Sequence, residues 1–350
     1  MKKKQKLGGL LLLGAAAVLL TGCTKEDSGA YDRALAAFSQ ADYSTAMEEF
    51  QNAADTDGRE AEAYRGEGMI YLKRGDYKHA ITLFDLSLEH MEHKNQEFRE
   101  DVLLYKAEAC AKNGRQSDAK EIYNELLKGD RSAEASLMLG QLSLQEGDSG
   151  QAKAYFDEAM KADSIYSQAL AIYEAYAAVS MEGDGADYLE QALDVEPEST
   201  EDQYLYGMIC YRLEDSEQAS IYLTKAANAG SAEALMELGQ MYLDQGDVGN
   251  ARDLFQNSLN NDLCPAAARN GLAECELAEQ DPEGALEEIR EGLALEDAQQ
   301  NIYLLYNEVV AYEQLQQYDL ALERAESFLE TYPDHEAMQR EYLFLSSRLG

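Results

Sequence analysis

The chain has 350 residues, 45% of them hydrophobic and 27% charged, with 4 prolines and no tryptophan. That is the composition of a folded chain and not of a disordered one, and it is long enough to bury an extended core. With 67 acidic against 29 basic residues the formal net charge is −38, which excludes nucleic-acid binding, because neutralising phosphates needs clustered Lys and Arg, and disfavours docking of the body on anionic lipid.

Residues 1–23 read MKKKQKLGGLLLLGAAAVLLTGC. A basic start (Lys2, Lys3, Lys4, Lys6) precedes an apolar run from Leu7 to Leu20. The run is short for a membrane span and a polar acidic segment follows, so the pattern predicts a secretory leader over 1–22. Its end, Leu20-Thr21-Gly22-Cys23, resembles the bacterial lipobox. The resemblance implies cleavage before Cys23 and lipidation of its thiol, hence a lipid-anchored protein on the extracytoplasmic face of the cell membrane. Two acyl chains suffice for stable anchoring. Residues 23–29 are then the lipidated cysteine and a short polar tether.

The most regular stretch is 61–94. Tyr64, Gly68, Tyr71 and Leu72 lie at helical spacing, Gly75-Asp76 marks a turn, and Ala80, Phe84 and Leu88 form a second helical face. Gly68 and Ala80 are small and are expected where the two helix backbones cross. Such a pair has an apolar face on each side and needs neighbours of its own kind to bury both. The neighbours are present. Small residues recur in the second-helix register at Ala46, Ala119, Ala152, Gly185, Ala219, Ala251, Ala285 and Ala321, with separations of 32–39 residues. Large side chains follow four later at Phe50, Tyr123, Phe156, Leu189, Leu223, Phe255 and Ile289. Small residues stand twelve earlier at Ala34, Ala107, Gly140, Gly207, Gly239 and Ala273.

A period near 34 with this pattern resembles the tetratricopeptide repeat family, over about nine units from near Ala30 to near Asp334. The family's early Trp is absent, and its late Pro stands clearly only at Pro197, Pro265 (shifted) and Pro333. Residues 226–247 are also similar to the Sel1-like relatives of the repeat. The resemblance implies an all-α, right-handed superhelical solenoid of about nine helix-turn-helix repeats with a C-terminal capping helix. The expected organisation is 30–196 for repeats one to five, 197–334 for repeats six to nine, and 335–350 for the cap.

Within that frame, the longer separation near His93–Gln96 predicts a lengthened helix or a loop. Repeat five is the weakest: Tyr173 and Tyr176 mark its first helix, and Gly183-Asp184-Gly185 reads as a late turn. The segment Glu196–Thr200 is the expected boundary, because Pro197 stops the preceding helix. In the tail, Tyr342, Leu343, Leu345 and Leu349 read as the apolar side of a closing helix.

Chemistry-bearing groups are sparse. Cys110 and Cys210 lie three repeats apart, and Cys264 and Cys275 are separated by about 16 Å of helix, too far to bridge. His90 and His93 lack further ligands for a metal. Asp55-Thr56-Asp57-Gly58 lacks the later ligands of a calcium loop. Gly66-Glu67-Gly68 has no preceding strand and is not a dinucleotide loop. No catalytic constellation stands out from the acidic background, and neither an enzyme nor a cofactor is expected.

The resemblance then implies a concave face built from first helices that holds a partner protein or peptide. Its inward positions carry over to Tyr31, Arg65, Met69, Lys73, Lys112, Gln141, Tyr204, Met208, Arg212, Met236, Gln240, Tyr303 and Tyr306. Among these Arg65, Lys73, Lys112 and Arg212 are placed to meet carboxylates of a partner, with Tyr and Met packing beside them. The alternative reading is a substrate- or glycan-binding lipoprotein associated with an envelope enzyme or transporter, and a third is a plain spacer.

Overall fold

The structure is a computed structural model. It describes residues 29–39, 42–91, 95–162, 164–295, 297–332 and 335–349. The leader, Cys23 and most of the tether lie outside the described residues, as do His93 and Pro333.

Among the described residues there are 19 α-helices and no strand. In chain order they are α1 (Ala30–Ser39), α2 (Tyr43–Thr56), α3 (Glu60–Lys73), α4 (Tyr77–His90), α5 (Gln96–Lys112), α6 (Gln116–Leu126), α7 (Ser132–Gln145), α8 (Ser149–Ala159), α9 (Ile165–Ala178) and α10 (Glu182–Ala192). Then follow α11 (Thr200–Arg212), α12 (Ser216–Asn228), α13 (Ala232–Asp244), α14 (Val248–Asn260), α15 (Pro265–Ala278), α16 (Pro282–Leu293), α17 (Ala298–Gln314), α18 (Tyr318–Thr331) and α19 (Glu336–Leu349). This is nine successive helix pairs and a single closing helix. Two compact units are distinguished: residues up to Asp32 with Ala53–Arg65 and Tyr77–Val195, and Arg33–Asn52 with Gly66–Asp76 and Glu196–Gly350.

Several of the turns inside pairs share one device. After α7 the chain takes a left-handed residue, Gly147 at φ 82°, and the Asp148 N–H donates back to the Ser143 carbonyl at 2.9 Å. That is the C-terminal stop of one helix. The Asp148 carboxylate then accepts from the Gln151 N–H at 2.9 Å and caps the next helix. The pair Gly246-Asp247 does the same between α13 and α14. A Gly-Asp dipeptide therefore encodes both the end of one helix and the start of another.

Repeat five corrects the sequence expectation. Its turn is at Ser180 (φ 62°) and Met181, whose N–H donates to the Tyr176 carbonyl at 2.9 Å. Gly183, Asp184 and Gly185 fall inside α10, where Glu182 and Asp184 sit favourably in the first turn. Gly185 is small for a packing reason: a Cβ there would lie 3.0 Å from the Tyr173 Cα. Tyr173 occupies the register where most other first helices have Gly or Ala, so the second helix supplies the missing space.

The small-residue register is the buried spine. Ala46, Ala80, Ala119, Ala152, Ala219, Ala251, Ala285 and Ala321 are fully buried, as are Phe84, Tyr123, Phe156, Leu189, Leu223 and Phe255. The glycines of this register let rings approach the helix backbone. A Cβ on Gly140 would run into the Phe156 ring, and one on Gly239 into the Phe255 ring. A second set faces the preceding pair: Gly66 abuts Phe50, and Gly271 abuts Phe255. Phe255 thus sits between α13 and α15 with glycine on either side.

Tyr123 takes the Phe/Leu position in α6, and its buried hydroxyl has no hydrogen-bond partner among the described residues. An unsatisfied buried donor costs about 1–3 kcal/mol. Tyr123→Phe is therefore expected to stabilise the chain by about 1 kcal/mol, read as a rise in the urea midpoint; a fall would show that the hydroxyl is satisfied.

The lengthening predicted after repeat two appears in α5, which has 17 residues against 14 in α3 and α7. Just past its first turn stands Glu100, a buried carboxylate. Glu100 Oε2 accepts from the Asp130 N–H at 2.8 Å and the Arg131 N–H at 3.3 Å, and Oε1 accepts from the Gln96 amide at 2.8 Å. Gly129 beside it has no room for a Cβ. Glu100 thereby fastens α5 to the entry of α7.

At the other end α19 closes the array, with a correction to the face expected for it. Met338 and Leu345, seven residues apart, are fully buried against Val309, Ala325 and Phe328, and Tyr342 packs beside them. Leu343 is 64% exposed and Phe344 48%. Two residues along an α-helix turn the side chain by about 200°, so Leu343 cannot share the Leu345 face. The Leu349 side chain lies outside the described residues.

Candidate docking face

The first-helix positions in the unit containing most of α5, α7 and α9 are occupied by internal ion pairs. The Arg65 guanidinium donates to Asp101 Oδ2 at 2.6 Å and to the Tyr31 hydroxyl at 3.0 Å, and stacks 5.0 Å from the Phe98 ring centroid. Arg131 reaches the same Asp101 at 3.6 Å and pairs with Glu134 at 3.0 Å. Lys112 pairs with Glu108 at 2.9 Å. Arg65 and Lys112 are thus already committed to carboxylates of their own or the next first helix. Gln141 is half-buried on α7.

In the second unit Met69 is half-buried and Lys73 exposed on α3. The larger assembly comes from α11, α13, α15 and α17. Arg212 (α11), Glu233 and Glu237 (α13) and Tyr303 (α17) lie within electrostatic reach of Tyr204 (α11). Burial, then the Glu237 and Glu233 carboxylates, push the Tyr204 phenol up to about 12. Burial also raises the Glu237 carboxyl, with Arg212 opposing. Met208 is buried, Met236 half-buried, and Gln240 donates to Asp244 at 2.7 Å. Tyr303 stands 56% exposed. Tyr306 is half-buried, its ring 5.8 Å from His335.

Three residues of this assembly were missed by sequence reading. Asn270 is fully buried on α15 and donates to Glu274 at 3.1 Å; Asn307 on α17 donates to Asn270 at 2.9 Å and to Glu274 at 3.4 Å. Burial raises the Glu274 carboxyl above the usual range, and the two amides oppose that. A signal was available: Asn270 and Glu274 stand 34 residues after Met236 and Gln240, in the same register.

Near the cap, burial and a hydrogen bond with Glu341 raise Glu313 from the ordinary 4.5 to about 7. An acid held above its unfolded value binds more protons in the folded state, so its stabilising effect is complete below the unfolded pKa and lost as pH rises through the folded one. Stability is therefore expected to fall between pH 4.5 and about 7, and Glu313→Gln to flatten that fall. Thermal melts of both proteins across this window check it; parallel pH profiles would contradict it.

Other sequence candidates resolve as structure. Asp57 accepts from the Tyr31 N–H at 3.1 Å and the Thr56 hydroxyl at 3.0 Å. Gly66-Glu67-Gly68 lies inside α3. Cys110, Cys210, Cys264 and Cys275 are free thiols. Among the described residues no cluster suited to a metal is found, and no helix is long and apolar enough to cross a membrane.

Successive helix pairs that share buried small residues, with first helices offering a mixed aromatic and charged face, define a helical-repeat scaffold. Tetratricopeptide repeat models match residues 31–90, 133–175, 221–265 and 303–335. The chain belongs to the tetratricopeptide repeat family, whose fold typically serves protein–protein interaction and not catalysis. It is similar to the tetratricopeptide domain of P58(IPK), at 14% identity over 91% of this chain and 97% of that one, with a TM-score of 0.29. Yeast Tom70 is 14% identical over 91% and 88%, with a TM-score of 0.40. PilW, a type IV pilus biogenesis factor, is 21% identical over 61% and 99%, with a TM-score of 0.39. These likenesses are of fold alone. No curated protein sequence matches the chain.

Proposed function

We propose that the chain is a lipid-anchored scaffold on the extracytoplasmic face of the cell membrane, binding a partner protein or peptide along the first-helix face of α11–α17. The observation that carries the docking half is the partly or fully exposed set of Tyr204 on α11, Met236 on α13 and Tyr303 and Tyr306 on α17. Aromatic and thioether side chains of this kind supply contact area at low entropic cost. The anchoring half rests on the basic start, the apolar run and Leu20-Thr21-Gly22-Cys23. No cofactor enters this reading.

The test uses cells that make the protein. The full chain with a photo-crosslinkable phenylalanine at position 303 is expected to capture a discrete protein partner. Cys23→Ser is expected to move the chain out of the membrane fraction. Loss of neither capture nor membrane association on changing Tyr303 to Ala and Cys23 to Ser would overturn the proposal.

A further inference from the structure

Several carboxylates on the α11–α17 face are held differently from most of those on α5 and α7. Three carboxylates there meet cations: Asp101 meets Arg65, Glu108 meets Lys112, and Glu134 meets Arg131, whereas the buried Glu100 at the start of α5 is held by neutral donors. Glu276 on α15 also meets a cation, Arg252, but at Glu233, Asp244 and Glu274 the hydrogen bonds are donated by neutral groups. The Ser231 hydroxyl donates to Glu233 at 3.2 Å, the Gln240 amide to Asp244 at 2.7 Å, and the Asn270 and Asn307 amides to Glu274. A neutral donor fixes a carboxylate in place and leaves its charge uncancelled. Among the described residues no cation forms an ion pair with Glu274, and Arg212 is the basic side chain within reach of Glu237. A buried carboxylate held by neutral donors keeps part of its desolvation cost, which an incoming positive charge offsets.

The same face carries Tyr204, Tyr303 and Met236. A lysine or arginine has the two properties this combination meets: an aliphatic stem or flat guanidinium that packs on an aromatic ring, and a cationic head for a carboxylate. A partner carrying carboxylates would instead meet like charge at Glu233, Glu237, Asp244 and Glu274, a repulsion that selects against it.

We infer that the α11–α17 face binds a lysine- or arginine-bearing segment of the partner, with Glu237 and Glu274 taking its cationic heads and Tyr204 and Tyr303 its stems. The inference rests on the docking reading above and adds the partner's charge to it. Opposite charge also speeds encounter, so the on-rate falls as salt is raised.

The experiment titrates the full chain with two short fluorescent peptides that share tyrosine and leucine positions, one carrying lysines and the other glutamates at the remaining sites. The lysine peptide is expected to bind, to weaken with added salt, and to lose about ten-fold in affinity in Glu237→Gln/Glu274→Gln, a change of about 1.4 kcal/mol. Circular dichroism and the melting temperature of the double variant are expected to match the parent. Equal or tighter binding of the glutamate peptide, or an unchanged affinity in the double variant, overturns the inference. Capture of the cellular partner separates the two levels. If Tyr303→Ala abolishes capture and Glu237→Gln/Glu274→Gln does not, the docking face stands and its charge preference falls. If neither variant affects capture, the docking face itself falls.

Discussion

Phe255→Ala is expected to lower stability by about 3–5 kcal/mol, the range for removing a fully buried Phe. The upper part of that range applies here. The ring lies against Gly239 on α13 and Gly271 on α15, so no flexible side chain stands at those two positions to move into the vacated space. The reverse substitutions probe the same fit. Gly239→Ala or Gly271→Ala places a methyl where the ring is, at a cost of about 1–3 kcal/mol for overpacking, partly offset by about 1 kcal/mol of helix propensity. Phe255→Leu is expected to relieve part of the Gly239→Ala penalty. Because repeat arrays open locally, the readout is amide exchange across α13–α15 together with denaturant unfolding. A loss below about 1 kcal/mol for Phe255→Ala would mean the ring is not packed between the two glycines.

The second large effect belongs to Glu100. Its carboxylate accepts from the Asp130 and Arg131 N–H groups and the Gln96 amide. Hydrogen bonds to a charged group contribute about 1.5–3 kcal/mol each, and removing the acceptor leaves backbone donors to be satisfied elsewhere. Glu100→Ala is expected to cost about 3 kcal/mol, because water can reach part of the vacated site and recover some of the loss. Glu100→Gln keeps one acceptor oxygen and is expected to cost about half as much. Faster exchange at the Asp130 and Arg131 amides accompanies both. An unchanged melting temperature in Glu100→Ala would show that α5 and α7 are joined without it.

Much of this was legible because the period is repeated. Any one Ala or Phe is uninformative, but Ala46 through Ala321 in one register force a shared buried spine, and that spine is what the structure buries. The glycines facing the preceding pair were not read, although Phe50/Gly66 and Phe255/Gly271 share a spacing of sixteen residues. Each ring has two neighbours, and a single register shows only one of them. The repeat-five turn was misplaced because Gly-Asp was taken as punctuation, while Ser180 accepts the left-handed backbone without glycine. On the proposed docking face, the placement of Tyr204, Met236 and Tyr303 on first helices was legible from register. The commitment of Arg65 to Asp101 did not, since it links residues 36 apart on different first helices. The Asn270–Glu274–Asn307 network escaped because three polar residues in an acidic chain look ordinary until burial is known.

The central claim is that partners meet the first helices and not the second. A crosslinker scan of the full chain in cells, at Tyr204, Met236, Gln240 and Tyr303 against Ile221, Tyr222 and Leu320 on second helices, tests it directly. Adducts to one partner from the first group alone are predicted. Adducts from the second group alone, or equally from both, would contradict it.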